Sequence, residues 1–535
     1  MQKLLIIILI VAAILRLSWL GSVPSGYFRD EAAISYNAYS IWKTGADEFG
    51  VKLPLVFRSF EVFFLPLYIY ITAPIVGILG PTIFASRLLS ALSGILAIYF
   101  IFLIGKKIWG EKVGLISSFI LAISPWHIFY SRATFEGNLA LTLFVGGFYF
   151  WLIFREKYLP KYFLISLLLF SFSMYSYQAE RLVVPLFGMI ALIVDFQKIW
   201  SIKNTLLIPL IICFLVMVPL LSLSFKPGGY HRALGVSIFS QEKNPTGFST
   251  SDRPNFFSNN KTFLLVKEIS SLYFSYYSPR NLFIEGDYNR QRSVVGFSVF
   301  FSFMFIGLVY GVFKFFSSFD TNKKLLFTWI LLAPIPAALT GDPFHTYRSL
   351  LLYAPLSILI GFGFAELLKR RISYWLLFLI VSCFSLGAFL YNYVYLNSTK
   401  AAHDWDYGYS EMVQYIGGLP KDTRVIVDDP WTEAYIHFLY FGKVDPKSYQ
   451  AEVLKLGDPT GYYYTNSAQI RPEKVGNIEF RKVDWPSERG DKGTIFVIWA
   501  ESLPDSEFTT DPKVKLLKQI MYPVGKVAFK IVKVI

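Results

Sequence analysis

The first 397 residues alternate between long apolar runs and short polar segments, as in chains that cross a bilayer repeatedly. A membrane-spanning helix needs about 20 predominantly apolar residues, with a lower limit of about 17. The run 66–80 is shorter than that limit and lies between two prolines, so we predict a re-entrant or surface-lying segment there. The remaining runs predict about eleven transmembrane helices, at residues 3–20, 83–105, 112–130, 133–154, 161–177, 181–197, 204–225, 293–316, 324–340, 348–368 and 372–395.

After residue 397 the pattern changes to that of a small α/β domain. Apolar positions recur at helical spacing in 409–417 and 433–440. Short runs rich in Val, Ile and Phe predict strands at 424–427, 478–483, 494–499 and 527–535. We therefore expect a polytopic α-helical transmembrane domain over 1–397, with outer loops at 21–81 and 226–292, and a small α/β domain over 398–535.

The composition supports a membrane protein. Of 535 residues, 54% are apolar and 16% are charged, whereas about 25% are charged in an ordinary soluble protein. These values exclude a disordered chain, a fibrous protein and a disulfide scaffold. The two cysteines, Cys213 and Cys383, lie inside apolar runs, so we predict neither a structural disulfide nor a cysteine metal site.

The net charge of +14 is explained by membrane topology. Residues 401–535 hold 17 basic and 19 acidic side chains, so the excess lies in residues 1–400, with 34 basic and 18 acidic. There, 15 basic residues fall in six short segments between the predicted spans, and the positive-inside rule places these segments in the cytoplasm. The rule predicts a cytoplasmic N-terminus and an extracytoplasmic C-terminal domain. The segments lie at residue 3 and at 106–112, 155–161, 198–203, 314–324 and 369–371.

The start of the chain resembles a signal peptide in having Lys3 before an apolar stretch. Arg16 interrupts that stretch, and no small-residue cleavage site follows at once. We therefore predict an uncleaved first span, in which Arg16 faces the helix bundle or reaches outward.

Ionisable residues concentrate at the predicted outer ends of the spans, where a functional site is the default hypothesis. Asp30 and Glu31 open a helix-like stretch soon after the first span. A carboxylate at this position can act as general base for an acceptor hydroxyl. The alternative is that Asp30 is a helix N-cap, a position at which Asp is strongly preferred.

Basic residues at the outer ends could hold a phosphate, because arginine can clamp a phosphate through two hydrogen bonds and stabilise the charge of a leaving group. His345 and Arg348 are three residues apart and share one face if the following helix extends to them. The alternative is that each arginine anchors a span end at phospholipid head groups. The candidates are Arg87, Arg132, Arg181, His345 and Arg348.

Other chemistry has little support. No P-loop and no dinucleotide-binding glycine motif occurs in a strand-to-helix context, which argues against ATP-driven transport and dinucleotide chemistry. His127, His231, His403 and His437 lack metal-ligand spacing and are predicted to be structural. Carboxylates near Asp30 could bind a divalent metal, but no recognisable metal spacing is present, so we predict no metal and no other cofactor.

A series of short motifs follows in order along residues 1–370. They are FRDEA at 28–32, TGADEFG at 44–50, LP at 53–54, PLY at 66–68, RLLSAL at 87–92, SPWH at 124–127, YSR at 130–132, and the segments 175–185 and 343–350. The series resembles the GT-C superfamily of membrane glycosyltransferases, in the branch of the protein O-mannosyltransferases and the lipid A aminoarabinose transferases.

That resemblance implies a glycosyltransferase of the plasma membrane. Such an enzyme moves a hexosyl or pentosyl group from a polyprenyl-phosphate donor to an acceptor hydroxyl on the outer face, with inversion. It implies that Asp30 is the catalytic base and that Glu31 organises the site or the acceptor. It also places Arg87, Arg132, Arg181 and Arg348, with His345, on the donor phosphate.

The chain departs from the family pattern at one position. Many relatives carry a lysine just before the PLY motif, where this chain has Phe64 and Leu65. Lys52 or Arg58 is therefore expected to supply that phosphate contact, unless the donor binds differently. The sugar stays open, as does the acceptor, which is a protein, a lipid or a glycan.

Two other functions compete with catalysis. A transporter or flippase of lipid-linked sugars would need charged residues near the bilayer midplane and often has internal repeats, whereas the charges here cluster at the outer ends. A non-catalytic membrane scaffold would need neither the acidic pair at the first outer helix nor arginines at several span ends.

Overall fold

The computed structural model describes residues 2–60, 62–225, 238, 261–317, 320–369, 371–430, 433–456 and 473–535. The chain divides into two compact units. The first, which we call the helical unit, contains Met1–Ser18 and Leu88–Asn392. The second, the mixed unit, contains Trp19–Arg87 and Tyr393–Ile535. The division differs from the predicted boundary near residue 397, because the first outer loop packs with the C-terminal segment.

Some sequence predictions concern residues outside this description. Most of the first half of the predicted loop 226–292 is among them, as are His231 and Arg370 of the basic segment 369–371.

The helical unit follows the apolar runs of the sequence. Its helices are Gln2–Leu17, Glu111–Ile123, Pro125–Tyr130, Glu136–Lys157, Pro160–Ser176, Glu180–Val194, Phe196–Ser201, Lys203–Ser224, Lys261–Ser275, Met304–Phe315, Thr321–Leu332, Ile335–Ala338, Leu350–Leu367 and Ile372–Tyr391, together with residues 88–109 of the helix Ile83–Trp109. A π-helical turn lies at Asn281–Glu285, and another follows the last helix at Asn392–Asn397.

Proline and irregular segments shorten several predicted spans. The predicted span 112–130 is interrupted at Ser124, whose backbone is extended before Pro125. A residue before proline is disfavoured in the helical conformation, which explains the break. In the predicted span 293–316, the helix covers only Met304–Phe315.

Five described helices are long and apolar enough to cross a membrane, judged by length and composition. They begin at Ile83, Glu136, Lys203, Leu350 and Ile372. The helices Pro66–Leu79 and Met304–Phe315 are apolar but shorter. These helices support an integral membrane protein, whereas the count of eleven spans and the cytoplasmic N-terminus stay predictions.

Glycines bring two helices of the helical unit into close contact. A Cβ at Gly311, in Met304–Phe315, would overlap the carbonyl oxygen of Leu359, in Leu350–Leu367. A Cβ at Gly363 would in turn overlap the backbone of the shorter helix. Small residues at such crossings allow helix backbones to approach one another.

The first part of the mixed unit contains two helices and a hairpin. The helix Arg29–Thr44 ends at Gly45, whose left-handed backbone is easily adopted by glycine. Strands β1 (Phe57–Ser59) and β2 (Val62–Phe64) pair antiparallel. The helix Pro66–Leu79 begins with proline at its first position, where the missing N–H is not needed.

The second part of the mixed unit is a six-stranded mixed sheet. Its order is β4-β5-β3-β6-β8-β7. The strands are β3 (Val425–Asp428), β4 (Lys474–Val475), β5 (Ile478–Arg481), β6 (Ile495–Trp499), β7 (Val514–Met521) and β8 (Val527–Val534). The helices are Ser398–Lys400, Tyr409–Gly417, Tyr435–Phe441, Pro446–Leu454, Trp485–Glu488 and Ser506–Thr509, with a 3₁₀ turn at His403–Trp405.

The connections of the sheet diverge between β3 and β6. Strand β3 is parallel to both β5 and β6, and the other pairs are antiparallel. After β3 the chain continues to β4 and β5 on one side, and after β6 it continues to β7 and β8 on the other. Such a divergence opens a crevice at the carboxyl ends of the two strands. On one face of the sheet, Ile426, Phe496 and Val532 pack in an apolar core.

Candidate active site

Asp30 lies in the first turn of the helix Arg29–Thr44, in the mixed unit. Its side chain is half-buried. The residue before the helix is Phe28, so the predicted N-cap role of Asp30 is not what the structure shows; Asp30 is the second helical residue. Acidic side chains are stabilising in the first turn of a helix, because the helix N-terminus carries a partial positive charge.

Glu31 fixes the start of the same helix. It closes a capping box, in which its carboxylate accepts a hydrogen bond from the backbone N–H of Phe28 at 3.4 Å. Tyr27 donates through its hydroxyl to the backbone carbonyl of Glu31 at 3.1 Å. The Glu31 side chain is fully buried. These contacts favour the site-organising role for Glu31.

Arg87 uses all five of its N–H groups within the mixed unit. Nε and Nη2 donate to the two carboxylate oxygens of Glu31, each at 2.9 Å. Nη1 donates to the carbonyls of Leu20 and Pro24, and Nη2 also donates to that of Gly26. Because every donor is occupied, the contacts favour a structural role for Arg87 over the predicted contact with a donor phosphate.

Arg29, directly before Asp30, is held by the C-terminal part of the mixed unit. Its backbone N–H, Nε and Nη2 donate to the carboxylate of Asp406, at 2.9, 3.3 and 3.2 Å. Its Nη1 is ion-paired with Glu433. Nε2 of His437 lies 3.5 Å from Asp406. Burial opposes ionisation of Asp406, but His437 and Arg29 outweigh it and hold the pKa of that carboxyl below its ordinary value.

A cavity of about 360 Å³ lies at the crevice between β3 and β6. The residues that follow β3 and β6 form two of its walls, and Arg29 belongs to its lining. The lining residues are Arg29, His403, Asp406, Tyr409, Asp429, Pro430, Glu433, Ala434, His437, Trp499, Ala500, Glu501, Ser502, Tyr522, Val527 and Ala528.

The TGADEFG motif forms a second buried polar cluster in the mixed unit. Glu48 accepts from the side-chain amide of Asn37 at 3.3 Å and from the hydroxyl of Tyr435 at 3.4 Å. Burial, reinforced by the charge of Asp47, raises the pKa of Glu48 to about 8. Arg58, which is 5% exposed, lies near this cluster and lowers that pKa slightly.

The two replacements proposed for the missing lysine differ in accessibility. Lys52 is exposed. Arg58 is buried in β1, with its guanidinium 6.0 Å from the ring centre of Phe49. A buried Arg58 fits a structural role better than a phosphate contact, whereas Lys52 remains accessible to an anion.

In the helical unit, Arg132 closes the end of the first helix. Its Nη1 donates to the carbonyl of Leu15 at 2.8 Å, and Nη2 donates to that of Ser18 at 2.7 Å. A cation at the C-terminal end of a helix interacts favourably with the unsatisfied carbonyls. Arg181 is the second residue of the helix Glu180–Val194 and is half-buried.

His345 and Arg348 lie before a helix and are not part of it. The helix Leu350–Leu367 begins after both residues, so the predicted helical face that they would share does not exist. They still contact each other, since the backbone N–H of Arg348 donates to Nδ1 of His345 at 3.3 Å. Nη1 of Arg348 also donates to Asp342 at 2.8 Å, and the arginine side chain is 21% exposed.

The sequence reasoning missed the partners of Arg29. Asp406 and Glu433 are 377 and 404 residues away along the chain, and the sequence predicts only a structural role for His437. The available signal was the position of Arg29 between Phe28 and Asp30 in the FRDEA motif. Among the described residues, no three His, Cys, Asp or Glu side chains are grouped so that they could hold a metal ion.

Similarity to known proteins is found in one family model and in solved structures. The model of the dolichyl-phosphate-mannose-protein mannosyltransferases matches residues 65–223, which is less than half of the chain. No curated protein sequence matches the chain.

The solved structures include ArnT from Cupriavidus metallidurans. Its complex with undecaprenyl phosphate has a TM-score of 0.57 at 10% identity, and the match covers 98% of this chain and 97% of ArnT. The apo form has a TM-score of 0.55 with the same coverage. The oligosaccharyltransferase AglB from Archaeoglobus fulgidus has a TM-score of 0.48 at 13% identity, over 85% of this chain and 68% of AglB.

At 10% identity the likeness to ArnT shows a shared fold, and it extends over nearly the whole of both chains. The family-model match lies inside the region whose motifs carry the predicted resemblance. The chain is an integral membrane protein with the fold of ArnT, and the resemblance to the GT-C glycosyltransferases that its motifs predict is confirmed.

Proposed function

We propose that this protein transfers a sugar from a polyprenyl-phosphate donor to an acceptor hydroxyl on the extracytoplasmic face, with Asp30 as the general base. The observation that carries the proposal is the fixation of Asp30 from both sides. Arg29 before it is held by Asp406 and Glu433, and Glu31 after it is held by Arg87. A general base acts efficiently when its position is fixed in this way.

Family similarity supports the donor class. The matching family model describes dolichyl-phosphate-mannose-protein mannosyltransferases. One solved form of ArnT, whose fold this chain shares, is bound to undecaprenyl phosphate. A polyprenyl-phosphate sugar is therefore the proposed donor for this chain.

In the proposed reaction, the carboxylate of Asp30 accepts the proton of the acceptor hydroxyl. The acceptor oxygen bonds to the anomeric carbon as the bond between that carbon and the phosphate oxygen breaks. The polyprenyl phosphate leaves with the bonding electrons, and a single displacement inverts the anomeric centre. Lys52, which is exposed in the same unit as Asp30, is the proposed contact for the phosphate charge, since lysine stabilises an anionic leaving group.

The test is turnover by the purified full-length protein with a panel of radiolabelled polyprenyl-phosphate sugars. Wild type is compared with Asp30→Asn, and Asp422→Asn serves as a matched control because Asp422 is exposed on the same unit. We expect transfer or sugar release by the wild type and the control, and at least a hundredfold loss in Asp30→Asn, in line with a general-base contribution of about 10²–10⁴.

The three proteins must have the same melting temperature and gel-filtration profile. The loss of turnover in Asp30→Asn then reflects the missing general base and not misfolding. Equal turnover by Asp30→Asn and wild type would remove Asp30 from the reaction. Specific donor binding without turnover of any donor would instead favour the transporter of lipid-linked sugars.

A further inference from the structure

The cavity between β3 and β6 has the position of a ligand site. In open sheets with parallel strands, ligands bind outside the carboxyl ends at the point where the connections diverge. Asp429 and Glu433 follow β3, and Glu501 and Ser502 follow β6, so both carboxyl ends contribute to the lining. At about 360 Å³, the cavity is within the range of small-ligand pockets, about 300–1,000 Å³.

The lining is strongly acidic. Four carboxylates, those of Asp406, Asp429, Glu433 and Glu501, face a single guanidinium, that of Arg29. Two of the four, Asp406 and Glu433, are paired with that guanidinium. Glu501 is exposed and forms no ion pair with a described residue. The cavity therefore keeps negative charge that the described protein does not neutralise.

Aromatic rings form much of the remaining wall. Tyr409, Trp499 and Tyr522 line the cavity, and all three lie outside the predicted spans. Burial, followed by the charges of Asp406 and Glu501, raises the pKa of Tyr522 to about 12. A ring face near carboxylates attracts a cation, because the quadrupole of the ring and the negative charge act in the same direction.

One of the two histidines of the wall, His437, has a ring nitrogen without a hydrogen-bond partner among the described residues. His437 is 1% exposed, and its Nδ1 has no hydrogen-bond partner among the described residues. Its ring stacks on Tyr409 at a centroid distance of 4.4 Å. An unfilled polar group in a cavity wall is unusual in a purely structural cavity, because buried polar atoms are generally paired.

The cavity adjoins the proposed base. Arg29 is part of the lining, and Asp30 is the next residue, so their Cα atoms are about 3.8 Å apart. The donor does not suit this place, since its phosphate would be repelled by the excess carboxylates. An acceptor segment seated in the cavity would lie beside the first turn of the helix that carries Asp30.

We propose that this cavity is the acceptor subsite and that it takes a basic peptide segment. A lysine or arginine side chain next to the acceptor hydroxyl lies among the carboxylates, with the rings of Tyr409, Trp499 and Tyr522 beside it. This inference rests on the proposed glycosyl transfer for its meaning, but the binding of the peptide can be measured without any donor.

The test uses fluorescence anisotropy of labelled serine peptides with the purified full-length protein. Three peptides of equal length carry lysine, glutamine or glutamate on both sides of the serine, and a neutral oligosaccharide is the fourth probe. We expect the lysine peptide to bind at least tenfold more tightly than the glutamine peptide and the glutamate peptide not to bind. The preference should weaken as salt is raised.

Glu501→Lys is the test variant, because Glu501 is an exposed residue of the cavity lining. Glu452→Lys is the control, since Glu452 is an exposed residue of the helix Pro446–Leu454 and is absent from the cavity lining. We expect Glu501→Lys to weaken binding of the lysine peptide at least tenfold and Glu452→Lys to change it less than twofold.

The outcomes separate this inference from the proposed function. Equal binding of all three peptides, or equal effects of the two variants, overturns the subsite. Oligosaccharide binding that Glu501→Lys abolishes also overturns it, in favour of a glycan acceptor. Charge-dependent peptide binding without transfer from any donor supports the peptide subsite and overturns the proposed glycosyl transfer. Transfer that Glu501→Lys does not change supports glycosyl transfer and overturns the peptide subsite.

Discussion

Arg87 donates two hydrogen bonds of 2.9 Å to the carboxylate of Glu31, and both side chains are fully buried. Removing one partner of a buried ion pair leaves the other charge uncompensated, which costs about 3–5 kcal/mol. We therefore expect Arg87→Met to lower the free energy of unfolding by about that amount and to abolish turnover. Thermal and chemical unfolding of the purified protein measure the change.

The control for this prediction is an exposed ion pair. Arg280 and Glu285 are 2.5 Å apart, with side chains 72% and 50% exposed. Exposed pairs contribute little to stability, so Glu285→Gln should leave the melting temperature unchanged. A similar loss in both variants would show that the Glu31–Arg87 pair has no special role.

Glu48 makes the stability of the folded protein fall as the pH rises through the acidic and neutral range. Its pKa is raised to about 8 in the folded protein, whereas an unfolded Glu titrates near about 4.3. Between these values the unfolded state loses its proton and the folded state keeps it, so stability falls as pH rises from about 4.3 to about 8 and is then constant. Glu48→Gln removes this dependence.

Melting temperatures of wild type and Glu48→Gln between pH 5 and 9 test the point. We expect the melting temperature of Glu48→Gln to rise relative to that of wild type as the pH increases to about 8, and the difference to stay constant above that pH. A difference that is the same at every pH would mean that Glu48 is ionised in the folded protein throughout.

Asp406 has the opposite effect on the pH dependence of stability, because its contribution is lost as the pH falls. Its pKa is lowered in the folded protein, so its ionised form contributes stability above the ordinary value of about 3.9. That contribution is lost as the pH falls through the lowered folded value. We expect Asp406→Asn to be clearly less stable than wild type at pH 7, and the gap to shrink below pH 4.

Urea unfolding at a series of pH values from 7 to 3 measures this gap. Asp404→Asn is the matched control, because Asp404 lies two residues away and is not part of the cavity lining. A gap that persists unchanged at pH 3 would contradict the assignment.

The helix crossing at Gly311 predicts a further stability difference. A Cβ there would overlap the carbonyl oxygen of Leu359, so Gly311→Ala should destabilise the protein by about 1–3 kcal/mol through overpacking. At Gly387, in the helix Ile372–Tyr391, a Cβ would meet no described atom within 4 Å. Gly387→Ala should therefore be neutral or slightly stabilising, as measured by thermal unfolding in detergent.

The elements that depend on local sequence could be predicted. The helix Glu136–Lys157 and the strand Ile495–Trp499 lie within the apolar runs 133–154 and 494–499 to within a few residues, because hydrophobic spacing is a local property. The predicted extension of the helix Leu350–Leu367 back to His345 is wrong, since the turn before the helix has no strong local signal.

The contacts that hold the residues on either side of Asp30 could not be predicted from the sequence. Glu31 and Arg87 are 56 residues apart, and Arg29 and Asp406 are 377 apart. A single sequence gives the charges of these residues but not which of them meet, because pairing over such separations is decided by tertiary packing. The motif identified Asp30 as a candidate, and the structure supplied the side chains around it.

The mixed unit is assembled from segments that the ribosome makes at very different times. Arg29 and its partner Glu433 are 404 residues apart, and nearly all of the helical unit is synthesised between them. At a rate of synthesis of about 5–20 residues per second, roughly 20–80 s pass between the synthesis of Arg29 and that of Glu433. The ion pair between Arg29 and Glu433 can therefore form only late in translation. A nascent chain whose first helices are already in the bilayer still lacks the contacts that hold the residue before Asp30.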